Sequence, residues 1–147
     1  MSSPYAADGP PSGAPGGKTS LGLESNIGAM LCYIGAPLCC LGVILSVVFL
    51  ITEKENRFVK FHAVQALFLV AVQLVLGVAL GIVGFLFRIA LSTGELWLIA
   101  DLLNLGVRIL FLVIFLIIWI IAGIKAYGGQ WYKLPVIGNL AWGMVNK

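Results

Sequence analysis

The chain has 147 residues, of which 61% are hydrophobic and 10% charged, and its mean hydropathy is +1.06. A soluble domain of this size needs more polar surface than that to cover a single core, so the composition points to a helical protein embedded in a membrane. A net charge of +3, carried by basic residues that flank apolar runs, excludes a nucleic-acid binder; in a bilayer such residues set orientation.

Residues 1–22, rich in Pro, Gly, Ser and Ala, predict a disordered tail, because they offer little apolar area to offset chain entropy. No cleavable signal is expected, since the tail lacks a compact apolar stretch and the apolar run after it is too long for a signal sequence. The remainder, 23–147, predicts one membrane domain.

The first uncharged stretch, Ser25 to Thr52, predicts a span over about 26–52. Pro37 has no N–H to give the carbonyl of Tyr33, so a kink is expected there. Gly28, Cys32, Gly35, Cys39, Gly42 and Ser46 recur at alternating spacings of four and three, which puts small side chains along one helical stripe. In lipid, such a stripe marks a packing seam. Cys32, Cys39 and Cys40 are read as small packing residues. They are not expected to form disulfides, and the single histidine lies on another segment, so no metal site is expected either.

The second span is expected over 63–87, with its own small set, Gly77, Gly81 and Gly84, containing one G-x-x-x-G pair. The two stripes predict tight contact between spans one and two, or a homodimer. His62, Gln65 and Gln73 fall toward one side of this helix. Polar groups facing lipid are penalised, so that side should face protein or water, either bonding between helices or lining a path; His62 itself is expected at the interface.

Between Arg88 and Arg108, Ser92 and Glu95 have capping-box spacing and predict a helix start. Nine large aliphatic residues in this stretch contribute about −0.3 to −0.6 kcal/mol each to insertion, but a central Asp101 costs roughly +2.5 to +3.5. The near-zero sum predicts an amphipathic helix over 93–106, with Asp101, Asn104 and Arg108 on one face. A fourth span is the alternative. The third span is expected over 108–126, followed by an interfacial segment, 127–147, whose Tyr127, Trp131, Tyr132 and Trp142 read as an aromatic belt. The expected fold is therefore an all-α polytopic bundle with three transmembrane helices and one interfacial helix. In that arrangement six basic residues fall on one side and three on the other, which puts the C-terminus in the cytoplasm and the N-terminus outside.

Enzyme signatures are missing: there is no phosphate-binding glycine loop, no Cys/His metal spacing and no nucleophile–base pair, so no catalytic residue, cofactor or metal is expected. Two stretches carry a resemblance, TEKENRFVKFHAVQA from Thr52 to Ala66 and IKAYGGQWYKLPVIGNLA from Ile124 to Ala141. They resemble a widespread group of small prokaryotic multi-span membrane proteins of unknown function, a group similar to the twenty-kilodalton Tic component of the chloroplast inner-envelope import machinery. The residues that match the group's loop are Glu53, Lys54, Glu55, Asn56, Arg57, Phe58, Lys60, Phe61, His62 and Gln65. The plastid likeness implies four spans and a protein-conducting channel. Physically, Arg57 and Lys60 can hold anionic headgroups, while Phe58 and Phe61 anchor the second span. The expected function is a non-enzymatic protein of the cytoplasmic membrane that assembles with itself or a membrane partner and binds no nucleic acid; the alternative is a channel, transporter or translocation component.

Overall fold

The computed structural model describes residues 17–39, 41–54, 56–91 and 96–145, without the side chains of Leu38 and Cys39. Five helices follow in order: α1, Ser25–Cys39; α2, Leu41–Thr52; α3, Arg57–Ala90; α4, Trp97–Tyr127; and α5, Ile137–Val145. Among the described residues, extended pairing is confined to one bridge between Lys18 and Glu24. The protein is an all-α membrane helical bundle. Its α3 and α4 have 34 and 31 residues and are long and apolar enough to cross a membrane. Their aliphatic side chains stay largely exposed, Leu74 and Val75 at 64% and Leu103 at 66%, which suits a hydrocarbon solvent and not water.

The chain divides into two units, one from residues up to Val70 together with 119–147, the other from 71–118. In the first, the stretch expected as a single span over 26–52 is a helical hairpin. Pro37 is accommodated inside α1, and the helix ends two residues later. α2 then returns antiparallel: a Cβ on Gly28 would lie 3.2 Å from the ring of Phe49, and one on Gly35 would lie 2.7 Å from the backbone nitrogen of Gly42. The small-residue stripe explains the reversal. Its first half, Gly28, Cys32 and Gly35, lies on α1, and its second half, Gly42 and Ser46, lies on α2, so the seam closes on itself with backbones in contact. The hydroxyl and thiol in it are satisfied locally, Ser46 Oγ donating to the Gly42 carbonyl at 2.6 Å and Cys32 Sγ to that of Gly28 at 3.3 Å. Cys39's side chain and Cys40 lie outside the described residues.

Residues 1–16 lie outside the described part, but 17–24 form a hydrogen-bonded turn where a disordered tail was expected. Thr19 N–H donates to the Leu23 carbonyl at 2.7 Å, and Ser25 N–H donates to that of Gly17 at 2.8 Å. The turn is held against the end of α2, where the Ser20 and Thr52 hydroxyls meet at 3.0 Å.

In the second unit, α3 and α4 run antiparallel. Gly77 faces Phe111, Gly81 faces Arg108, and a Cβ on Gly84 would collide with the Asn104 side chain. The second glycine set thus packs on α4. α4 is also continuous: the described parts of the amphipathic helix expected over 93–106 and of the span expected over 108–126 belong to one helix, Trp97–Tyr127. Asp101, Asn104 and Arg108 all lie on the side of α4 that meets α3, beside Arg88, Gly84 and Gly81. Arg108 Nε donates to Asn104 Oδ1 at 3.2 Å, while Asp101 lies 3.7 Å from Arg88 of α3. Ser92 and Glu95, the expected capping box, lie outside the described residues. A cleft of about 450 Å³ opens between these helices, lined by Leu80, Val83, Phe87, Ile99 and Leu103, with Asn104 as its polar member.

Candidate functional site

A cluster of fully buried polar side chains lies in the first unit, where α1, α3 and the segment after α4 meet. α4 ends in a glycine stop: Gly129 takes φ +69°, its N–H bonds the Ala126 carbonyl at 3.0 Å, and the Gln130 N–H bonds that of Lys125 at 3.0 Å. This Schellman arrangement needs a residue that tolerates the left-handed conformation, and it turns the chain sharply. Residues 130–134 are thereby laid along α3 with two carbonyls and one N–H facing it.

Two α3 side chains meet that backbone. His62 Nε2 lies 3.2 Å from the Gln130 carbonyl oxygen, and Gln65 Nε2 donates to the Tyr132 carbonyl at 3.1 Å. Gln65 Oε1 in turn accepts from the Leu134 N–H at 3.3 Å. From α1, the Tyr33 hydroxyl is 3.1 Å from His62 Nδ1 and accepts from Gln65 Nε2 at 2.9 Å. A carbonyl can only accept, so His62 carries its proton on Nε2. The neutral ring then presents Nδ1 as an acceptor, and the Tyr33 hydroxyl must donate to it. The result is a directed chain, Gln65 to Tyr33 to His62 to the Gln130 carbonyl, in which each of these side-chain groups has a partner. Tyr33, His62 and Gln65 are all fully buried.

Aromatic rings enclose the imidazole. Phe58 and Phe61 stand edge-on to His62 at 4.6 and 5.1 Å, and Trp131 packs on both. Trp142 of α5 closes the cluster against Phe61 at 5.8 Å, with Lys133 Nζ 3.9 Å above its ring. Trp119, near the end of α4, lies against Tyr33 at 6.0 Å. Phe58, Phe61 and His62 are therefore buried among protein side chains. Spacing in the sequence explains this: Phe58, Phe61, His62 and Gln65 at offsets of three and four share one helical face, and that face points inward.

The family-like loop forms a second polar group on the same unit. Glu53 is buried and accepts from the Ser20 N–H at 2.9 Å and the Asn56 N–H at 3.3 Å. Asn56 caps α3, its Oδ1 accepting from the Val59 N–H at 3.3 Å, while its Nδ2 bonds Ser25 Oγ. Ser25 Oγ donates to the Gly17 carbonyl. Lys54 and Arg57 are exposed, Lys60 is half-buried, and Glu55 lies outside the described residues. Replacing Asn56 with alanine removes the cap and the link to Ser25. The expected loss is about 1–2 kcal/mol, read as a lower midpoint in thermal unfolding.

Of the expected polar face, the structure brings His62 and Gln65 together, while Gln73 lies half-buried in the second unit. Sequence reasoning missed Tyr33, Trp119 and the 130–134 backbone. A tyrosine in the middle of an otherwise apolar stretch is a usable signal, because a buried phenol seeks a partner. Among the described residues no three His, Cys, Asp or Glu side chains gather where they could hold a metal.

Three curated relatives match most of the chain. Two UPF0132 membrane proteins of Methanocaldococcus jannaschii are 42% and 32% identical, covering 85% and 83% of this chain and 92% and 71% of their own lengths. A UPF0132 membrane protein of Archaeoglobus fulgidus is 35% identical over 81% of this chain and 93% of its own. No solved structure matches the chain. The model of the magnetosome magnetite crystal formation protein family, MamF_MmsF, matches residues 24–141, which contain Tyr33, His62, Gln65, Glu53 and Asn56 and the aromatic cluster apart from Trp142. The chain belongs to that family, as a membrane protein whose relatives have no assigned function.

Proposed function

We propose that this is a non-enzymatic, multi-pass protein of the cytoplasmic membrane that works by assembling with itself or with a membrane partner. The observation that carries this reading is that the polar groups of Tyr33, His62, Gln65, Glu53 and Asn56 are engaged within the protein, while Asn26 Oδ1 and Trp131 Nε1 are buried without a partner. His62, Gln65 and Tyr33 spend their hydrogen bonds on one another and on the backbone of 130–134, and Glu53 and Asn56 spend theirs on Ser20, Val59 and Ser25. A general base or nucleophile needs a free lone pair facing a substrate; here those lone pairs are engaged. What the protein offers to other molecules is apolar surface, including the cleft beside Asn104. Lipid is its medium, and nucleic acid has no place in this reading. Magnetite formation, which the family description names, is not carried over, because Glu53 is held by two N–H donors and Asp101 by Arg88.

Cross-linking in intact membranes, followed by native mass spectrometry in mild detergent, should reveal a discrete oligomer or a complex of fixed stoichiometry. A monomer under both conditions would sink the reading. The alternative, a channel or translocation component, follows the likeness to the plastid import subunit. It requires His62, Gln65 and Gln73 to line a path, and the first two already bond protein. Ion or solute flux through reconstituted protein would reverse the preference.

A further inference from the structure

Helix length, hairpin closure and charge bear on how the chain enters its membrane, and this step rests on the membrane reading above. At about 1.5 Å per residue, the 15 residues of α1 rise roughly 22 Å and the 12 of α2 roughly 18 Å, both short of a hydrocarbon core of ~30 Å. The two helices are antiparallel, and their open ends are tied together. Ser20 N–H donates to Glu53, the Ser20 and Thr52 hydroxyls bond, and Asn56 bonds Ser25. Entry and exit of the hairpin therefore lie side by side. The tip carries Pro37 and exposed Leu41, while polar and charged residues gather at the open end.

We infer that α1 and α2 form a re-entrant hairpin that dips into the bilayer from the cytoplasmic face and leaves by the same face, so that both chain ends and the 53–56 loop meet the cytoplasmic headgroups. The expectation of an outside N-terminus needed residues 26–52 to cross, and the hairpin removes that crossing. Charge agrees. Lys18, Lys54, Arg57, Lys60, Lys125 and Lys133 belong to the first unit, while Arg88 and Arg108 belong to the second. With Lys147 of the C-terminal segment included, seven against two is a stronger asymmetry than the six against three that three crossings provide, and cytoplasmic segments are the ones enriched in Lys and Arg. The re-entrant path also satisfies the backbone requirement in lipid: irregular chain at membrane depth is tolerated where it packs on protein, and Gly35 against Gly42 gives that packing. The surface that meets anionic lipid is then the one bearing Lys54 and Arg57, both exposed.

The test places single cysteines in the full chain, with Cys32, Cys39 and Cys40 replaced by alanine, and adds a membrane-impermeant maleimide to inverted and right-side-out vesicles. Leu21→Cys and Lys54→Cys should label only from the cytoplasmic face, and Gly94→Cys only from the opposite one. Labelling of the first two from opposite faces would mean that 25–52 crosses, and it overturns the inference. So does labelling of Gly94→Cys from the same face as Lys54→Cys. If the cysteine-free background does not fold, reporters fused to each end of the unsubstituted chain decide the matter. Two cytoplasmic ends support the inference, and ends on opposite faces overturn it. Carbonate extraction separates the two failures: protein released by carbonate defeats the membrane reading itself, whereas retained protein with opposite-face labels defeats only the hairpin topology.

Discussion

Replacing Gln65 with leucine is expected to cost roughly 3 kcal/mol or more, because one substitution strands several buried groups at about 1–3 kcal/mol each. The Tyr132 carbonyl loses its donor, the Leu134 N–H loses its acceptor, and Tyr33 loses the N–H that fixes its hydroxyl toward His62. The Tyr33 hydroxyl and the Leu134 N–H are shut off from water, since Tyr33 is fully buried and Leu134 is 7% exposed. Against a total stability of about 5–15 kcal/mol, that is a large share. Thermal unfolding in detergent, followed by tryptophan fluorescence, measures it. Trp131 and Trp142 report directly, because they pack on the aromatic face that Gln65 helps to hold. Tyr33→Phe removes only the hydroxyl and should cost less. A Gln65→Leu variant within about 0.5 kcal/mol of the wild type, in the range of an ordinary surface substitution, would refute the claim that this cluster locks the 130–134 segment onto α3.

Gly42→Leu is expected to open the hairpin, and Gly42→Ala to weaken it. A Cβ at position 42 would lie 2.6 Å from the Gly35 carbonyl carbon and 2.8 Å from the Cys32 carbonyl oxygen. These are backbone atoms of α1, which cannot rotate aside as a side chain would, so α2 has to move away. Overpacking of this kind costs about 1–3 kcal/mol and sometimes more. It outweighs the gain of about 1 kcal/mol that alanine brings over glycine inside a helix. Gly106 of α4 supplies the opposite case, since a Cβ there meets nothing within 4 Å. Gly106→Ala should therefore raise the unfolding midpoint while Gly42→Ala lowers it. Equal shifts at the two positions would mean that helix propensity, and not the closure of α1 on α2, governs the response. The same variants probe the topology, because a hairpin held apart at Gly35 and Gly42 loses the packing that keeps its tip within the bilayer.

Class was legible in the sequence because hydropathy is a local sum. The apolar runs identify a helical membrane protein without reference to any contact, and α3, Arg57–Ala90, covers the stretch 63–87 expected as the second span. The stripe at a 3.5-residue period was legible too, as a seam of small residues. Its partner was not. A stripe states which face will pack and is silent about what it packs on, so a seam suited to a second span or a second copy could equally close on its own other half. Gly28 and Phe49, and likewise Gly35 and Gly42, become adjacent only once the chain reverses.

The same distinction runs through the candidate site. Composition placed His62 and Gln65 on one side of α3 and required that side to avoid lipid. It could not name Tyr33 or the carbonyls of Gln130 and Tyr132, which arrive from 29 to 68 residues away. The basic residues show the limit most plainly. Their positions were readable from the start, but a charge count orients a chain only after each crossing is known. Local sums determined that this protein lives in a membrane and carries no readable catalytic motif. Tertiary contact alone decided that its first apolar run folds back, that Glu53 and Asn56 of its family-like loop are buried and bonded, and that His62 and Gln65 spend their hydrogen bonds on the protein itself.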